Sequence, residues 1–510
     1  MRSNTKSPPA FPIDVYSGDY STVRPLGPYI RAKFQWKRNV ATAASFQIKI
    51  THPLAKRMME AKVSVIPIRT YYNGKVWDGR VMDTTIEGQP GREIITVTCV
   101  SNMKWLQSIL GFPNPMLSVE VQFPKQDIAI GPVDFVCKYF VARNANRLNK
   151  PVYVKVPSGG EPVKLPSIPP GVTGLDAFYA FVASLDLCAM YSRMTPLDEL
   201  FETSLKNSDS ELTCNLWVPG DDDSGALFSR ESLDEVQQVF DLEGDNFLLF
   251  TDENKVLDVV DANLHTTASS LTSGTGACYI VDTRKKRDRR WMQWTTDSGQ
   301  IVSYKRNITH PTAHQIITGG QSPTWVNELV RIVVDGIIGL ILSVFGAGFL
   351  APSVGGMLDD IFLAFNRFTN PALAAQLGPH AFGEAYANAQ VAFTLDSLVA
   401  GLQALKDHAG RDSIKIQVQD GGSAGKGFEF GVDDGSGRRY DVGDIHSFVD
   451  GDTVITDYIS EVVITDERGA FCQAEVTIGD DDPVKDPFMR MVDKFKEFGS
   501  LGRVIATSMR

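Results

Sequence analysis

An apolar stretch in the second half of the chain places the strongest constraint on the fold. Residues 336–358 carry no charged side chain. One helix of this length would be long enough to cross the roughly 30 Å hydrocarbon core of a membrane. The stretch also contains several glycines and Pro352, which interrupt helices. The pattern therefore predicts an apolar hairpin of two shorter helices, over residues 329–345 and 357–368, with its apex near residues 346–356.

The apolar side chains of this hairpin form a candidate membrane or assembly surface. Its members are Ile337, Leu340, Ile341, Val344, Phe345, Phe349 and Leu350. They can be covered within an assembly of several chains, or they can enter a host membrane. The sequence is compatible with both uses.

Length and composition limit the classes of protein to which this chain can belong. A chain of 510 residues predicts several domains, because a single core seldom grows beyond about 250–300 residues. The net charge of -11 argues against a general nucleic-acid binder, which is usually basic. The six cysteines include no CxxC pair, so neither a disulfide framework nor a zinc ribbon is predicted. The N-terminal segment lacks the apolar core of a signal peptide, so no cleavable secretion signal is expected.

The first third of the chain has the pattern of a β domain. Residues 1–30 are rich in Pro, Ser and Gly and predict an extended arm, or else a disordered tail. From residue 31 to about 130, apolar and polar side chains alternate over several short segments. Asn73-Gly74 lies between two of them and predicts a two-residue hairpin turn. The segment from Met103 to Leu110 predicts a short helix.

Later segments mix helix and strand patterns. Thr195-Pro196 predicts the start of a helix, and four segments in 212–305 predict strands, which together indicate an α/β insertion. The Ala-rich residues 371–408 predict helix. Two alternating segments around residues 466–469 predict a further hairpin. The last segment, from residue 483 on, predicts an amphipathic helix.

Searches for catalytic and metal-binding patterns yield no candidate site. His310 and His314 have the spacing of a metal pair, but Pro311 follows the first and no glutamate accompanies them. The acidic runs 221–223 and 480–482 do not match an EF-hand and predict solvated turns. The chain has no GxSxG nucleophile elbow and no phosphate-binding loop of the GxxxxGK[ST] type. We therefore expect no catalytic, cofactor-binding or metal-ligating residues and no enzyme activity.

A basic run beside two tryptophans is a candidate contact patch. Its members are Arg284, Lys285, Lys286, Arg287, Arg289 and Arg290. Basic residues next to aromatic ones, here Trp291 and Trp294, can bind nucleic acid, anionic lipid or the acidic face of a partner. Lysines and arginines also protect the edge strands of sheets from aggregation. We favour an edge strand or a subunit contact over a DNA site.

Four segments together resemble the minor tail proteins of siphophages that infect actinobacteria, a family similar to tail hubs and baseplate hubs. The first is YYNGKVWDGRV with the following REIITVTCVSNMKWLQSILGFPNP, and the second is RNITHPTAHQIITGG at residues 306–320. The third is GGMLDDIFLAFNRF at 355–368, and the fourth is the segment 438–482 that begins RRYDVGD. Each motif is short, and the resemblance rests on their order along most of the chain. The basic run has no counterpart in it.

The resemblance implies a multidomain α+β fold with two small tube-like β-barrel domains and inserted α/β and helical regions, the latter including the apolar helical hairpin. The implied boundaries are an arm (1–30), a first barrel (31–150), an α/β insertion (151–300), second-barrel strands (301–320), the apolar hairpin with a helical insertion (321–420), further second-barrel strands (421–482) and a C-terminal helix (483–510).

The resemblance also implies a function. Three copies would form a ring at the tip of the virion tail that closes the tail tube and adapts its sixfold symmetry to a threefold tip. The implied partners are other copies of the chain, the distal tail protein, the tape-measure protein and further tip proteins. DNA would meet the ring only in transit, and the ring would take part in host attachment and genome delivery. No cofactor is implied. The alternatives are a membrane-active tail component that inserts its hairpin, and a tail-associated cell-wall hydrolase.

Overall fold

The computed structural model describes residues 10–154, 187–221, 277–319, 365–388, 404, 408, 410–421 and 427–479, without residues 116, 124, 209, 220, 370, 452 and 468–471. In the first part of the chain the strands are β1 (Ile13–Tyr16), β2 (Val23–Pro25), β3 (Arg31–Lys37), β4 (Ala43–Lys49), β5 (Pro67–Tyr72), β6 (Lys75–Glu87), β7 (Ile94–Ser101), β8 (Leu110–Gly111), β9 (Asp127–Pro132), β10 (Val152–Val154), β11 (Leu187–Ser192), β12 (Thr195–Pro196) and β13 (Ser210–Trp217). The later strands are β14 (Cys278–Lys285), β15 (Asp288–Thr295), β16 (Ile301–Thr309), β17 (Gln315–Gly319), β18 (Phe365–Thr369), β19 (Glu384–Asn388), β20 (Arg411–Gln419), β21 (Glu429–Phe430), β22 (Arg439–Tyr440), β23 (Ile445–Asp450), β24 (Thr453–Glu467) and β25 (Gln473–Ile478).

Helices are fewer and shorter than strands in the described part of the chain. The α-helices are α1 (Ala55–Met59), α2 (Lys104–Gln107), α3 (Val133–Arg147), α4 (Leu197–Asn207) and α5 (Pro371–Leu377). Three single-turn 3₁₀ segments lie at Glu60–Lys62, Thr296–Ser298 and Gly378–His380. The fold is therefore mostly β, with helices gathered mainly beside the smaller sheets.

A thirteen-stranded sheet dominates the structure. Its strand order is β16-β20-β25-β24-β3-β4-β7-β6-β5-β1-β2, and β23 also pairs with β24 and carries β15. A strand from the N-terminal part of the chain and one from the C-terminal part pair inside this sheet, where Val462 of β24 lies opposite Trp36 of β3 and Ile464 lies opposite Phe34. All four side chains are buried in one core. Burial of this apolar surface is what holds the distant strands together, since each fully buried side chain of this size contributes about 1.5–3 kcal/mol.

Most of the strands expected in two barrels lie in this one sheet, whereas β17 belongs to a separate three-stranded sheet with β18 and β19. Among the described residues, the main path of paired strands has two ends, β16 and β2, and no closed barrel is found. The described residues form both strands and helices, as the predicted α+β class requires. The strands far outnumber the helices, so the prediction is confirmed only in part. Strand β20 also lies within the range 321–420, for which the sequence predicted an apolar hairpin and helices.

Both predicted hairpins are confirmed. Strands β5 and β6 pair antiparallel around Asn73 and Gly74, whose φ angles of 46° and 78° are those that a tight hairpin turn requires. Strands β24 and β25 pair antiparallel, with Ile464 opposite Ala474. In each case the pattern that predicted the turn is local, so the fold realises it without help from distant residues.

The N-terminal residues from Ala10 onward are part of the main sheet. Strand β1 pairs with β5, and the Phe11 side chain is completely buried. The backbone N–H of Ala10 donates a hydrogen bond of 3.0 Å to Asp466, close to the end of β24. The described residues of the range 1–30 thus pack against the rest of the chain, and the extended arm stays a prediction for residues 1–9, which lie outside the described part.

A second core lies between helices and small sheets. Helices α3 and α4 pack with β9 and β11, and with the sheet in which β14 is flanked by β10 and β13. Its first members, Leu106 and Ile109, belong to the short helical segment predicted after β7. Helix α4 begins at Leu197, one residue after the proline expected at its start. The strands predicted at 212–218, 278–282 and 301–305 are confirmed as β13, β14 and β16.

Two helix predictions are wrong within the described residues. The second arm of the apolar hairpin was expected to be helical to residue 368, but Phe365–Thr369 is strand β18. The Ala-rich segment begins as helix α5, yet Glu384–Asn388 is strand β19. Both strands pair with β17, β18 antiparallel and β19 parallel. Pairing on the two sides of β17 thus outweighs a local preference for helix, which is worth only tenths of a kcal/mol per residue.

Candidate functional site

The basic run links two parts of the molecule. It spans the end of β14, which belongs to the second core, and the start of β15, which pairs with β23 next to the main sheet. Its side chains therefore lie where the two cores meet. Acidic residues from both sides converge on them.

Arg284 makes the most extensive of these contacts. Its Nε donates to Glu211 of β13 at 2.9 Å, its Nη1 to Asp441 at 2.5 Å and its Nη2 to the carbonyl oxygen of Val442 at 3.2 Å. Lys75 also reaches Asp441, at 2.6 Å. Burial raises the pKa of Glu211, although Arg284 opposes the shift. Burial acts on Asp441 as well, but Lys75 and Arg284 outweigh it and lower the pKa of that carboxyl.

Arg287 and Arg289 bind a second pair of carboxylates. Arg287 donates from Nε and Nη2 to the two oxygens of Asp444, each at 2.7 Å, which is the two-point geometry that guanidinium groups favour. Arg289 contacts Asp433 and donates to the carbonyl oxygen of Arg439 at 2.9 Å. Asp444 is almost completely buried. These contacts tie the start of β15 to the acidic segment that leads into β23.

The other three basic residues have different surroundings. Lys286 donates to the carbonyl oxygen of Ser208 at 2.7 Å, and its Nζ lies 4.7 Å from the centre of the Tyr458 ring. Arg290 is 62% exposed and pairs with Asp288 at 3.3 Å. Lys285 is exposed. Four of the six members thus make internal contacts across the junction, while Lys285 and Arg290 face outward.

A second set of ion pairs joins the same two parts. Arg69 of β5 donates to Asp221 at 2.9 Å and also contacts the carbonyl oxygen of Leu216 on β13. Asp78 of β6 accepts hydrogen bonds from Leu216 N at 2.9 Å and from Asn102 at 2.5 Å. Burial raises the pKa of Asp78 to about 6, against the opposing effect of Arg69. A cleft of about 630 Å³ lies between the two sets of ion pairs and is lined by Trp36, Trp77 and Trp217 as well as by these charged groups.

His446 of β23 lies in an aromatic cluster behind the basic run. Its Nδ1 accepts a hydrogen bond of 3.0 Å from the indole N–H of Trp294. The rings of Phe428 and Tyr440 complete the cluster. Within the described residues, Nε2 of His446 has no hydrogen-bond partner. Burial, with the nearby positive charges of Arg289 and Arg287, lowers the pKa of His446 to about 3.

The apolar surface predicted at 336–358 lies outside the described residues, as do Ile337, Leu340, Ile341, Val344, Phe345, Phe349 and Leu350. Its use in a membrane or an assembly stays a prediction. None of the helices that the structure describes has the length and apolar character needed to cross a membrane.

The candidate metal and cysteine residues fall in separate places. His314 hydrogen-bonds the carbonyl oxygen of Phe382 at 2.9 Å, and the His310 ring lies beside that of Phe382. Asp221 pairs with Arg69, whereas residues 222–223 and 480–482 lie outside the described part of the chain. In the part that the structure describes, no group of His, Cys, Asp and Glu is arranged to hold a metal ion. All six cysteines are free thiols, and five are buried, as the isolated positions predicted.

Sequence reasoning missed the acidic partners of the basic run. Glu211 lies in a strand that was predicted without a role, and Asp441 and Asp444 lie in the RRYDVGD segment. One signal was available in that segment. Gly443 has a φ of 87°, so the glycine between Asp441 and Asp444 marks a turn, and these carboxylates accept hydrogen bonds from Arg284 and Arg287 respectively.

Within the described residues, the molecule is mostly β and its two cores meet along buried ion pairs. The chain belongs to the family of Siphovirus ReqiPepy6 Gp37-like proteins, whose family model matches residues 12–480. The resemblance to a siphophage protein family is therefore confirmed.

The solved structures to which this chain is similar include three tail proteins. The prophage MuSo2 43 kDa tail protein from Shewanella oneidensis has a TM-score of 0.44 at 7% identity, over 92% of this chain and 98% of that chain. The tail protein from Neisseria meningitidis MC58 has a TM-score of 0.38 at 10% identity, over 92% and 96% of the two chains. Prophage tail protein gp18 from Listeria monocytogenes EGD-e has a TM-score of 0.38 at 8% identity, over 91% and 94%. The comparison with curated proteins found no match.

Proposed function

We propose that this chain is a phage tail protein and forms a hub subunit at the tail tip. Three copies form a ring that closes the tail tube, adapts its sixfold symmetry to a threefold tip, and takes part in host attachment and genome delivery. The distal tail protein, the tape-measure protein and further tip proteins are its partners. The ring has no enzymatic role, and DNA passes through it without being held.

One observation carries this proposal. The strands of residues 31–101 and those of residues 411–478 form two groups in the main sheet, joined where β3 pairs with β24. A ring of three such chains presents six strand groups, the number needed to face a sixfold tube. The acidic composition supports passage of DNA, since a basic lumen would retain it through phosphate contacts.

The location can be tested with an antibody raised against this chain. We expect gold-labelled antibody to mark the tail tip of intact virions, and the purified chain to sediment as a trimer. An antibody against the major capsid protein serves as the control. Labelling along the whole tail or on the capsid would be incompatible with a hub at the tip.

The membrane-active alternative rests on the absence of charge over residues 336–358. In that case the isolated protein would release dye from liposomes, and Leu340→Asp would abolish the release, because a charged side chain at the centre of a membrane segment costs about 2.5–3.5 kcal/mol or more. Intact liposomes at every pH tested would rule this alternative out. A zymogram on host cell wall separately tests the less favoured hydrolase.

A further inference from the structure

The cleft between the two sets of ion pairs contains hydrogen-bond donors that lack an acceptor. Arg69 and Trp217 both line it, and their exposed fractions are 4% and 6%. Within the described residues, neither Nε of Arg69 nor Nε1 of Trp217 has a hydrogen-bond partner. A buried N–H group without an acceptor is energetically costly. The two donors therefore point to a bound molecule that supplies acceptor atoms.

The charges of the cleft favour an uncharged ligand. Arg69 pairs with Asp221 at 2.9 Å and lies 3.8 Å from Asp78. On the other side of the cleft, cations and carboxylates are likewise paired, and these groups are Lys75, Arg284, Glu211 and Asp441. Lys37 also lines the cleft but is exposed to solvent. An ionic ligand would lose its hydration here among buried charges that are already matched.

The edge of β13 limits the shape of the ligand. On the side away from β14, the backbone N–H of Leu212 donates to Asn39 at 2.8 Å, and that of Leu216 donates to Asp78 at 2.9 Å. Cys214 lies midway between them and lines the cleft, and its peptide groups point the same way because the backbone of a strand alternates. An extended peptide along this edge would need the positions that the side chains of Asn39 and Asp78 occupy. The cleft therefore accepts a compact ligand instead of a strand.

Other side chains of the cleft combine apolar surface with groups that both donate and accept. Tyr71, Val40 and Val432 line it with exposed fractions of 37%, 40% and 51%. The Tyr71 hydroxyl and the side-chain amide of the exposed Asn215 can each donate and accept hydrogen bonds. A sugar has the same mixture, because its C–H faces are apolar and its hydroxyl groups donate and accept. The volume of about 630 Å³ lies within the roughly 300–1,000 Å³ that is usual for sites of small ligands.

We propose that this cleft binds a neutral saccharide. Nε of Arg69 and Nε1 of Trp217 donate to oxygen atoms of the sugar, and the amide of Asn215 and the hydroxyl of Tyr71 bind its hydroxyl groups. Val432 contacts an apolar face of the ring. Every group of the site belongs to one chain, so binding does not require a trimer. Only the use of this site in host attachment rests on the proposed hub.

The binding test titrates the full-length protein with sugars and follows its tryptophan fluorescence. The neutral sugars are glucose, galactose, mannose and N-acetylglucosamine, and glucuronate serves as the charged control. We expect at least one neutral sugar to bind saturably with a dissociation constant of about 1 mM or tighter. Glucuronate should bind about tenfold more weakly than the best neutral sugar, because its carboxylate loses hydration in a cleft whose buried cations are already paired.

Two substitutions locate the binding site. Trp217→Phe removes the indole N–H and keeps an aromatic ring, and Asn215→Ala removes an exposed amide. Each should raise the dissociation constant by about three- to tenfold, as expected for the loss of one hydrogen bond to an uncharged group. The matched control is Trp291→Phe, since Trp291 is 62% exposed and does not line the cleft, so its replacement should leave the affinity unchanged. Circular dichroism checks the folding of each variant, and Asn215→Ala decides the test alone if Trp217→Phe does not fold.

Three results would overturn the inference. The first is the absence of saturable binding by all four neutral sugars up to about 50 mM. The second is binding that the cleft substitutions leave unchanged, because the site would then lie elsewhere. The third is tighter binding of glucuronate than of any neutral sugar, which would define an anion site. None of these results bears on the trimer, and a failed test of the trimer leaves the expected sugar affinities unchanged.

Discussion

Replacement of Arg284 by alanine is expected to lower the free energy of unfolding by about 3 kcal/mol, because removal of one partner leaves buried carboxylates uncompensated. Glu211 and Asp441 are 7% exposed, whereas the Arg284 side chain is 37% exposed, so solvent screening keeps the loss at the low end of the usual range. Lys75 still neutralises Asp441 in the variant. Most of the loss therefore comes from Glu211.

Urea denaturation of wild type and Arg284→Ala checks this value. The matched control is Arg290→Ala, which removes an arginine of the same run that is 62% exposed and pairs only at the surface, with Asp288. We expect the control to change stability by less than about 0.5 kcal/mol. Equal effects of the two substitutions would contradict an internal role for Arg284. A stable Arg284→Ala protein that fails to assemble would instead make the basic run a subunit contact.

The second large effect is a loss of stability in acid that depends on His446. The unfolded imidazole binds a proton near pH 6.5, whereas burial, Arg289 and Arg287 lower the pKa of His446 in the folded protein to about 3. As the pH falls from 6.5 toward 3, the unfolded state gains a proton that the folded state does not, so stability is lost across this window. At about pH 4 this one group should cost about 3 kcal/mol relative to neutral pH.

The measurement compares wild type with His446→Asn, whose side-chain oxygen can replace Nδ1 as the acceptor for Trp294. Other groups oppose the acid effect, since burial raises the pKa of Asp78 and of Asp420 to about 6. The useful quantity is therefore the difference in pH dependence between the two proteins. His446→Asn should lose about 3 kcal/mol less than wild type between neutral pH and about pH 4. Replacement of the exposed His310 by asparagine should leave the wild-type dependence in place, and parallel curves for wild type and His446→Asn would refute the assignment.

Local patterns in the sequence predict both hairpins and several strands of the described fold. The Asn73-Gly74 turn requires two positive φ angles, which few other residue pairs adopt easily. These two residues are therefore enough to predict the turn. Strands β24 and β25 can be predicted because their apolar residues recur at every second position. In both cases the information lies within about fifteen residues of chain.

Which of these strands pair with one another cannot be predicted from local patterns. Strand β3 pairs with β24, which lies more than four hundred residues later in the chain. Nothing in the sequence of either strand identifies the other as its partner. Strand β19 shows that a local pattern can also predict the wrong element. Its sequence EAYAN favours a helix, but parallel pairing with β17 outweighs that preference. The family resemblance predicted two strand groups but placed them in separate barrels. The structure joins them in one sheet.

The ion pairs at the junction of the two cores could likewise not be predicted from local patterns. The basic run is conspicuous in the sequence, but its partners come from two distant segments, Glu211 from strand β13 and Asp441 and Asp444 from the RRYDVGD segment. A run of basic residues is usually read as an outward-facing surface. Here the alternation of β15 sends Arg287 and Arg289 toward the acidic segment and leaves Arg290 in solvent.

The most direct test of the central claim is a cryo-EM reconstruction of the intact tail tip. The account predicts three copies of this chain in a ring at the end of the tail tube, with the strand groups joined by β3 and β24 arranged around the channel. A tip that contains this chain in one or six copies, or a chain located along the tube wall, would contradict the account.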